Sequence, residues 1–260
     1  MSNNAIDSLE LGRELEEQER FLEALVEYSK AVTADPGNLD ALLARAALLA
    51  ELSQNGAAIE DYTAALAIDP YEAAAYNNRG DSYAILGMHE EAINDFTTAL
   101  SLNPGDVDSY YNRALSQAVL GNIDKALADL DAALTIDPRH GSAYNNRGLV
   151  YVKLGDYGKA VADFSKAVEV RTGFACSYDH RGLAYEKLGD LTHAIEDYTS
   201  ALGIAPHSVD SLYHRAAAYL ATGKVKEAAA DYQMVLQVAD KRHPFYKLAR
   251  LELTKLNPEA

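Results

Sequence analysis

The hexapeptide AYNNRG occupies residues 75–80 and returns at 143–148, and the two copies start 68 residues apart, twice 34. Other residues keep the same interval. Pro36, Pro70, Pro104, Pro138 and Pro206 lie on one 34-residue grid, with Thr172 at the point where a proline is missing. Ala24, Ala58, Ala92, Ala126, Ala160, Ala194 and Ala228 form a second row without a gap, and Gly87, Gly121, Gly155, Gly189 and Gly223 form a third. Self-similarity at such a period marks a repeat array. Seven units fit without insertion: 5–38, 39–72, 73–106, 107–140, 141–174, 175–208 and 209–242, with a tail whose helix is expected at 243–256. The chain, 1–260, thus reads as a single repeat domain.

Within each unit the pattern predicts helix, turn, helix, turn. In 82–104, SYAILGMHEEAINDFTTALSLNP, Tyr83 and Leu86 stripe a first helix that Gly87 ends. Ala92, Phe96 and Ala99 stripe a second, which Pro104 stops. Two short helices cannot bury their apolar faces alone, so each pair must stack on the next. Small residues, Gly80, Ala114, Gly148, Gly182 and Ala216, are expected where the helices of a pair cross. Of 17 tyrosines, 13 fall in three recurring places: Tyr76, Tyr110, Tyr144, Tyr178 and Tyr246; Tyr83, Tyr151, Tyr185 and Tyr219; Tyr28, Tyr62, Tyr198 and Tyr232. All three rows are expected in the core.

Composition narrows the function. The formal net charge of −16, from 23 basic and 39 acidic residues, opposes a nucleic-acid partner, which needs a basic face, and an anionic membrane surface. The N-terminal segment has neither the basic start nor the apolar run of a signal peptide, and no apolar stretch approaches the ~20 residues of a membrane helix. One cysteine, Cys176, leaves no disulfide framework within the chain. A cytoplasmic protein is expected. The motifs GxxxxGK[ST], HExxH and GxSxG are absent, and the histidines are too scattered for a metal site. The chain reads as a non-enzyme with no cofactor or metal.

These rows resemble the tetratricopeptide repeat family: aromatic-x-x-x-Gly/Ala-x-x-Tyr, then Ala-x-x-x-Phe/Tyr-x-x-Ala, then a closing Pro, at the family's period across 5–242. The resemblance implies an all-α fold, a right-handed α-solenoid of antiparallel helix pairs whose first helices line a concave groove, with the tail as a capping helix. It also implies a scaffold or adaptor that binds a protein or peptide segment there. A subclass of the family clamps chaperone C-terminal carboxylates with groove Lys and Asn; no unit here carries that combination, so this partner is not expected.

An arginine row, Arg45, Arg79, Arg113, Arg147, Arg181 and Arg215, is accompanied by Asp61, Asp95, Asp129, Asp163, Asp197 and Asp231, and both change together in the first unit, to Leu11 and Glu27. This points to an ion-pair ladder linking helices within or between units, with anion-binding arginines as the alternative. The loss of both where no unit precedes suits a pair made across units. Asn78, Asn112, Asn146, His180 and His214 form the row expected to face the groove, where asparagine can hold the backbone of an extended peptide. Asn77, Tyr111, Asn145, Asp179 and Tyr213 are expected beside them. Ile85, Leu115, Val119, Leu149, Val152 and Leu183 make the middle of the groove apolar, and Asp40, Asp108 and Asp210 suggest an acidic rim. The expected ligand is an extended or short helical segment with apolar and some basic side chains. A surplus of basic residues from Lys224 onward leaves a structural, self-assembling module open as an alternative, and a regulatory partner of an enzyme encoded elsewhere is another.

Overall fold

The computed structural model describes residues 3–170 and 173–256, so the expected departure at Thr172 lies outside the described residues. Among the described residues there are fifteen α-helices and no strand. They run in chain order as α1 (Asn3–Glu17) with α2 (Phe21–Ala34), α3 (Leu39–Glu51) with α4 (Asn55–Ile68), α5 (Ala73–Ile85) with α6 (His89–Leu102), and α7 (Val107–Val119) with α8 (Ile123–Ile136). Then come α9 (Gly141–Leu154) with α10 (Tyr157–Val170), α11 (Ala175–Leu188) with α12 (Leu191–Ile204), α13 (Val209–Ala221) with α14 (Val225–Val238), and α15 (Pro244–Leu256). The helices group into two compact units that divide between Asp137 and Pro138. Each is a solenoid of stacked helix pairs and is described by itself.

Each pair is held by a small residue against a large one. A Cβ on Gly80 would stand 2.8 Å from Phe96, and one on Gly148 would stand 2.6 Å from Phe164. These distances are below van der Waals contact, so the helices cross as closely as a hydrogen in place of a side chain allows. Tyr28, Tyr62, Phe96, Leu130, Phe164, Tyr198 and Tyr232 fill the centre of each pair, fully buried, with the alanine row from Ala24 to Ala228 beside them. The other two tyrosine rows differ from expectation: they are only half-buried. Tyr76, Tyr110, Tyr144 and Tyr178 instead lie beneath the guanidinium groups of Arg79, Arg113, Arg147 and Arg181, at 5.5 to 5.7 Å from ring centre to guanidinium carbon. That is a cation–π arrangement, and the wet edge suits the phenol.

The ladder is made of bidentate pairs. Arg181 Nε and Nη2 donate to Asp197 Oδ2 and Oδ1 at 2.8 and 2.7 Å. The same geometry recurs from Arg45–Asp61 to Arg215–Asp231. The pair closes within one helix pair, not between pairs as the first unit suggested. The tie to the preceding pair comes from the third nitrogen: Nη1 donates to Thr63 from Arg79, to Thr97 from Arg113, to Ser165 from Arg181 and to Thr199 from Arg215, at 3.0 to 3.1 Å. Each of these guanidinium groups therefore holds three helices. In the first unit no pair precedes, and Leu11 replaces the arginine.

The turn after each first helix needs a left-handed residue. Gly87, Gly121, Gly155, Gly189 and Gly223 supply φ of +77° to +81°, but at the same place the first two units put Glu19 (φ 59°) and Ser53 (φ 60°). Glycine takes that conformation without a Cβ penalty. Ser53→Gly is expected to raise unfolding stability by about 0.5–1 kcal/mol in a denaturant titration. Asp197→Asn is expected to lower it by about 2 kcal/mol; this is less than the ~3–5 of a fully buried pair because Arg181 keeps some solvent contact. An unchanged midpoint would mean that the pair holds nothing together.

Candidate functional site

Consecutive first helices touch one another within each unit, α3 with α5 and α5 with α7, α9 with α11 and α11 with α13. Among the described residues the second helices make no contact of comparable extent with their successors, so each unit is curved with its first helices inside. All the residues expected in the groove lie on these helices: Asn77 and Asn78 on α5, Tyr111 and Asn112 on α7, Asn145 and Asn146 on α9, Asp179 and His180 on α11, Tyr213 and His214 on α13.

The structure separates them into two kinds. Asn77, Asn145 and Asp179 are occupied. Asn77 Oδ1 accepts from Ser109 Oγ at 3.0 Å, Asn145 Oδ1 from Ser177 Oγ at 3.3 Å, and Asp179 Oδ1 from Ser211 Oγ at 2.6 Å. Each bond joins one first helix to the next, and Asn145 is only 7% exposed. The serine row was missed at the sequence level, although its signal is there: serine follows by 32 residues where the earlier residue is Asn or Asp, and alanine where it is Leu43 or Tyr111.

In the C-terminal unit the remaining positions are also engaged. His180 Nδ1 lies 3.0 Å from Asn145 Oδ1, and the ring packs against Phe164. His214 Nδ1 lies 3.3 Å from Glu186 Oε2 and the ring stacks on Tyr198, whose hydroxyl donates to the same carboxylate at 3.1 Å. Asn146 Nδ2 donates to the Ser142 carbonyl at 3.0 Å. Tyr213 does not stand open in the groove: it stacks on Phe245 of α15, ring centres 4.2 Å apart, because the capping helix covers it. Burial raises the Asp179 pKa, with the Ser211 bond pulling it back, and burial lowers that of His180. The hydrogen bond to His214 is the main reason that the Glu186 pKa is lowered.

The N-terminal unit is more open. Asn78 is exposed beside the Tyr62 hydroxyl, whose pKa burial pushes up to about 12. Tyr111 is half-buried, as is Asn112, which makes no hydrogen bond among the described residues. Ile85 and Val119, 63% and 65% exposed, flank a concavity of about 230 Å³ between α5 and α7. Asp40, Asp108 and Asp210, expected as an acidic rim, sit in the first turns of α3, α7 and α13, where the helix dipole favours a carboxylate. Among the described residues no group of His, Cys, Asp or Glu could hold a metal, and no helix is long and apolar enough to cross a membrane.

Models described as tetratricopeptide repeat match residues 9–73 and 181–246, 73–106 and 141–171, and 96–128, and one described as TPR repeat matches 118–155. No curated protein matches the chain. Among solved structures, a tetratricopeptide repeat protein from Parabacteroides merdae is 20% identical with a TM-score of 0.71, over 99% of this chain and all of that one. MamA is 25% identical with a TM-score of 0.58, over 61% of this chain and 92% of that one. YrrB, described as a TPR protein with an unusual peptide-binding site, is 24% identical with a TM-score of 0.59, over 71% and 95%.

The half-buried His180 carries a pH dependence of known sign. Its lowered folded pKa means that the fold favours the neutral ring, so the stabilisation is present above the unfolded value of 6.5 and lost as pH falls toward the folded one. His180→Asn, the residue type of Asn112 and Asn146, is expected to flatten the decline of melting temperature between about pH 7 and about pH 5.5. Parallel curves for wild type and variant would contradict this.

Proposed function

The chain belongs to the tetratricopeptide repeat family, and from that premise we propose that it is a scaffold or adaptor holding an extended or short helical peptide segment against the inner face of its first helices. Tetratricopeptide repeat proteins are protein-interaction scaffolds, generally without catalysis. The observation that carries the finer reading is the open chemistry of α5 and α7. Asn78 and Asn112 offer amides able to pair with a peptide backbone, between the exposed apolar side chains Ile85 and Val119. The net charge of −16 favours a segment with basic side chains. Arg79 and Arg113 are held in the ladder, so neither arginine of α5 and α7 is free for a C-terminal carboxylate, which speaks against the chaperone-tail partner.

A second reading, self-assembly, is favoured by one surface. Leu22 and Val26 on α2 are 72% and 53% exposed where later units place Glu90 and Asn94, and Leu248 and Leu251 are exposed on α15 beside Lys247 and Arg250. Exposed apolar side chains near acidic and basic surroundings could meet between copies.

Capture from host lysate tests the first reading. Asn78→Ala/Asn112→Ala is expected to lose partners about tenfold or more at unchanged helicity, since two backbone-pairing amides go. Partners retained at full yield would remove the inner face from the account. Sedimentation at rising concentration decides against the second reading if the mass stays constant. A rising mass that Leu22→Asp/Val26→Asp abolishes would select self-assembly.

A further inference from the structure

We propose that α15 of one copy of the chain docks on the face of α1 and α2 of a second copy, a contact that rests on the self-assembly reading above and names its two surfaces. In later units the third nitrogen of the ladder arginine reaches back to the preceding pair, from Arg79 to Thr63 and from Arg113 to Thr97. That side of a first helix is therefore where a preceding pair lies. In the first unit the arginine is replaced by Leu11, which is exposed, and among the described residues no helix precedes α1. Leu22 and Val26 of α2, also exposed, line one concavity of about 520 Å³ with Leu11 and Leu15. At the places of Leu22 and Val26 the next units carry Gly56 and Glu60, Glu90 and Asn94, and Asp124 and Ala128. Large apolar side chains where these units keep small or polar ones mark a face that another surface covers.

The charge around this face selects its occupant. Residues 7–27 carry eight acids and two bases. Asp7 and Glu14, one turn to either side of Leu11, are exposed and make no ion pair among the described residues. Residues 241–256 carry five bases and one acid. Lys247 and Arg250 of α15 are exposed, likewise without an ion pair among the described residues, beside the exposed Leu248 and Leu251. In the repeats the crossing row meets an aromatic side chain, as Gly80 meets Phe96 and Gly148 meets Phe164. At the next place in that row after Ala216, α15 carries Arg250, which calls for a carboxylate instead. Two copies of the α1–α2 face would set acids against acids, and two α15 faces bases against bases, so neither surface suits its own copy. The contact is heterologous, and each copy keeps a free face of one kind or the other until a ring closes.

The test is sedimentation of the full chain at rising concentration, as wild type, Leu22→Asp/Val26→Asp and Leu248→Asp/Leu251→Asp, with helicity checked by circular dichroism. Wild type is expected to rise in mass, and raising the ionic strength from about 0.05 M to about 0.5 M should weaken the association about tenfold. Each variant alone is expected to stay monomeric. Mixed, the two are expected to form a one-to-one dimer and nothing larger, because only one intact face of each kind remains. Lys247→Glu/Arg250→Glu spares the apolar side chains and should behave as the α15 variant does, which keeps the test valid if that variant fails to fold. Association by either variant alone shows a face that pairs with itself; it overturns the docking and leaves self-assembly standing. A mixture that stays monomeric, or an association indifferent to salt, overturns the docking as well. A wild-type mass that stays constant overturns both readings.

Discussion

The guanidinium that holds three helices is the contact on which the rest of the fold depends. A helix pair of this length buries too little alone, and stacking must fix both the distance inside a pair and the offset between pairs. Glycine or alanine against an aromatic sets the first. Arg181 sets the second as well, with Asp197 on α12 and Ser165 on α10 bound to one planar group. Lysine could not replace it, since a point charge cannot serve two acceptors of one carboxylate and a hydroxyl in a fixed fork. The arrangement also places the positive row against aspartates and tyrosines.

The inner face then divides by how much of its polarity the fold consumes. In the C-terminal unit, Asn145, Asp179, His180 and His214 are bonded to residues of neighbouring helices, and Tyr213 is covered by α15. These side chains hold successive first helices in register. In the N-terminal unit only Asn77 has that duty. The Asn112 side chain makes no hydrogen bond among the described residues, the Asn78 side chain is exposed and bonded only to its neighbours Asn77 and Tyr62, and Ile85 and Val119 are exposed. The proposed recognition surface is therefore α5 and α7, although the sequence spreads the same residue types over five repeats.

The repeat period, the helix pairs and the small-to-large crossings were legible because each is a row of one residue type at one spacing. The Arg–Asp pairing was legible from its joint loss at Leu11 and Glu27, but not its direction. Sixteen residues forward reaches the partner helix, and sixteen back reaches, except at Asp131, a Thr or Ser whose row looks like ordinary helix surface. The tethers from Ser109, Ser177 and Ser211 were hidden for another reason. An Asn on a groove-facing helix reads as ligand chemistry until its partner, 32 residues on, is seen to change with it. The half-buried tyrosine rows were misplaced because periodicity alone cannot tell a core aromatic from one lying against a guanidinium at the edge.

A photo-crosslinking residue placed at Val119, and in a second variant at Lys187, tests the division of the inner face most directly. The two positions occupy the same place on α7 and α11, and both are exposed. With lysate as the source of partners, adducts are expected from position 119 and not from 187. Adducts from 187 alone, or equally from both, would contradict the placing of recognition on the N-terminal unit.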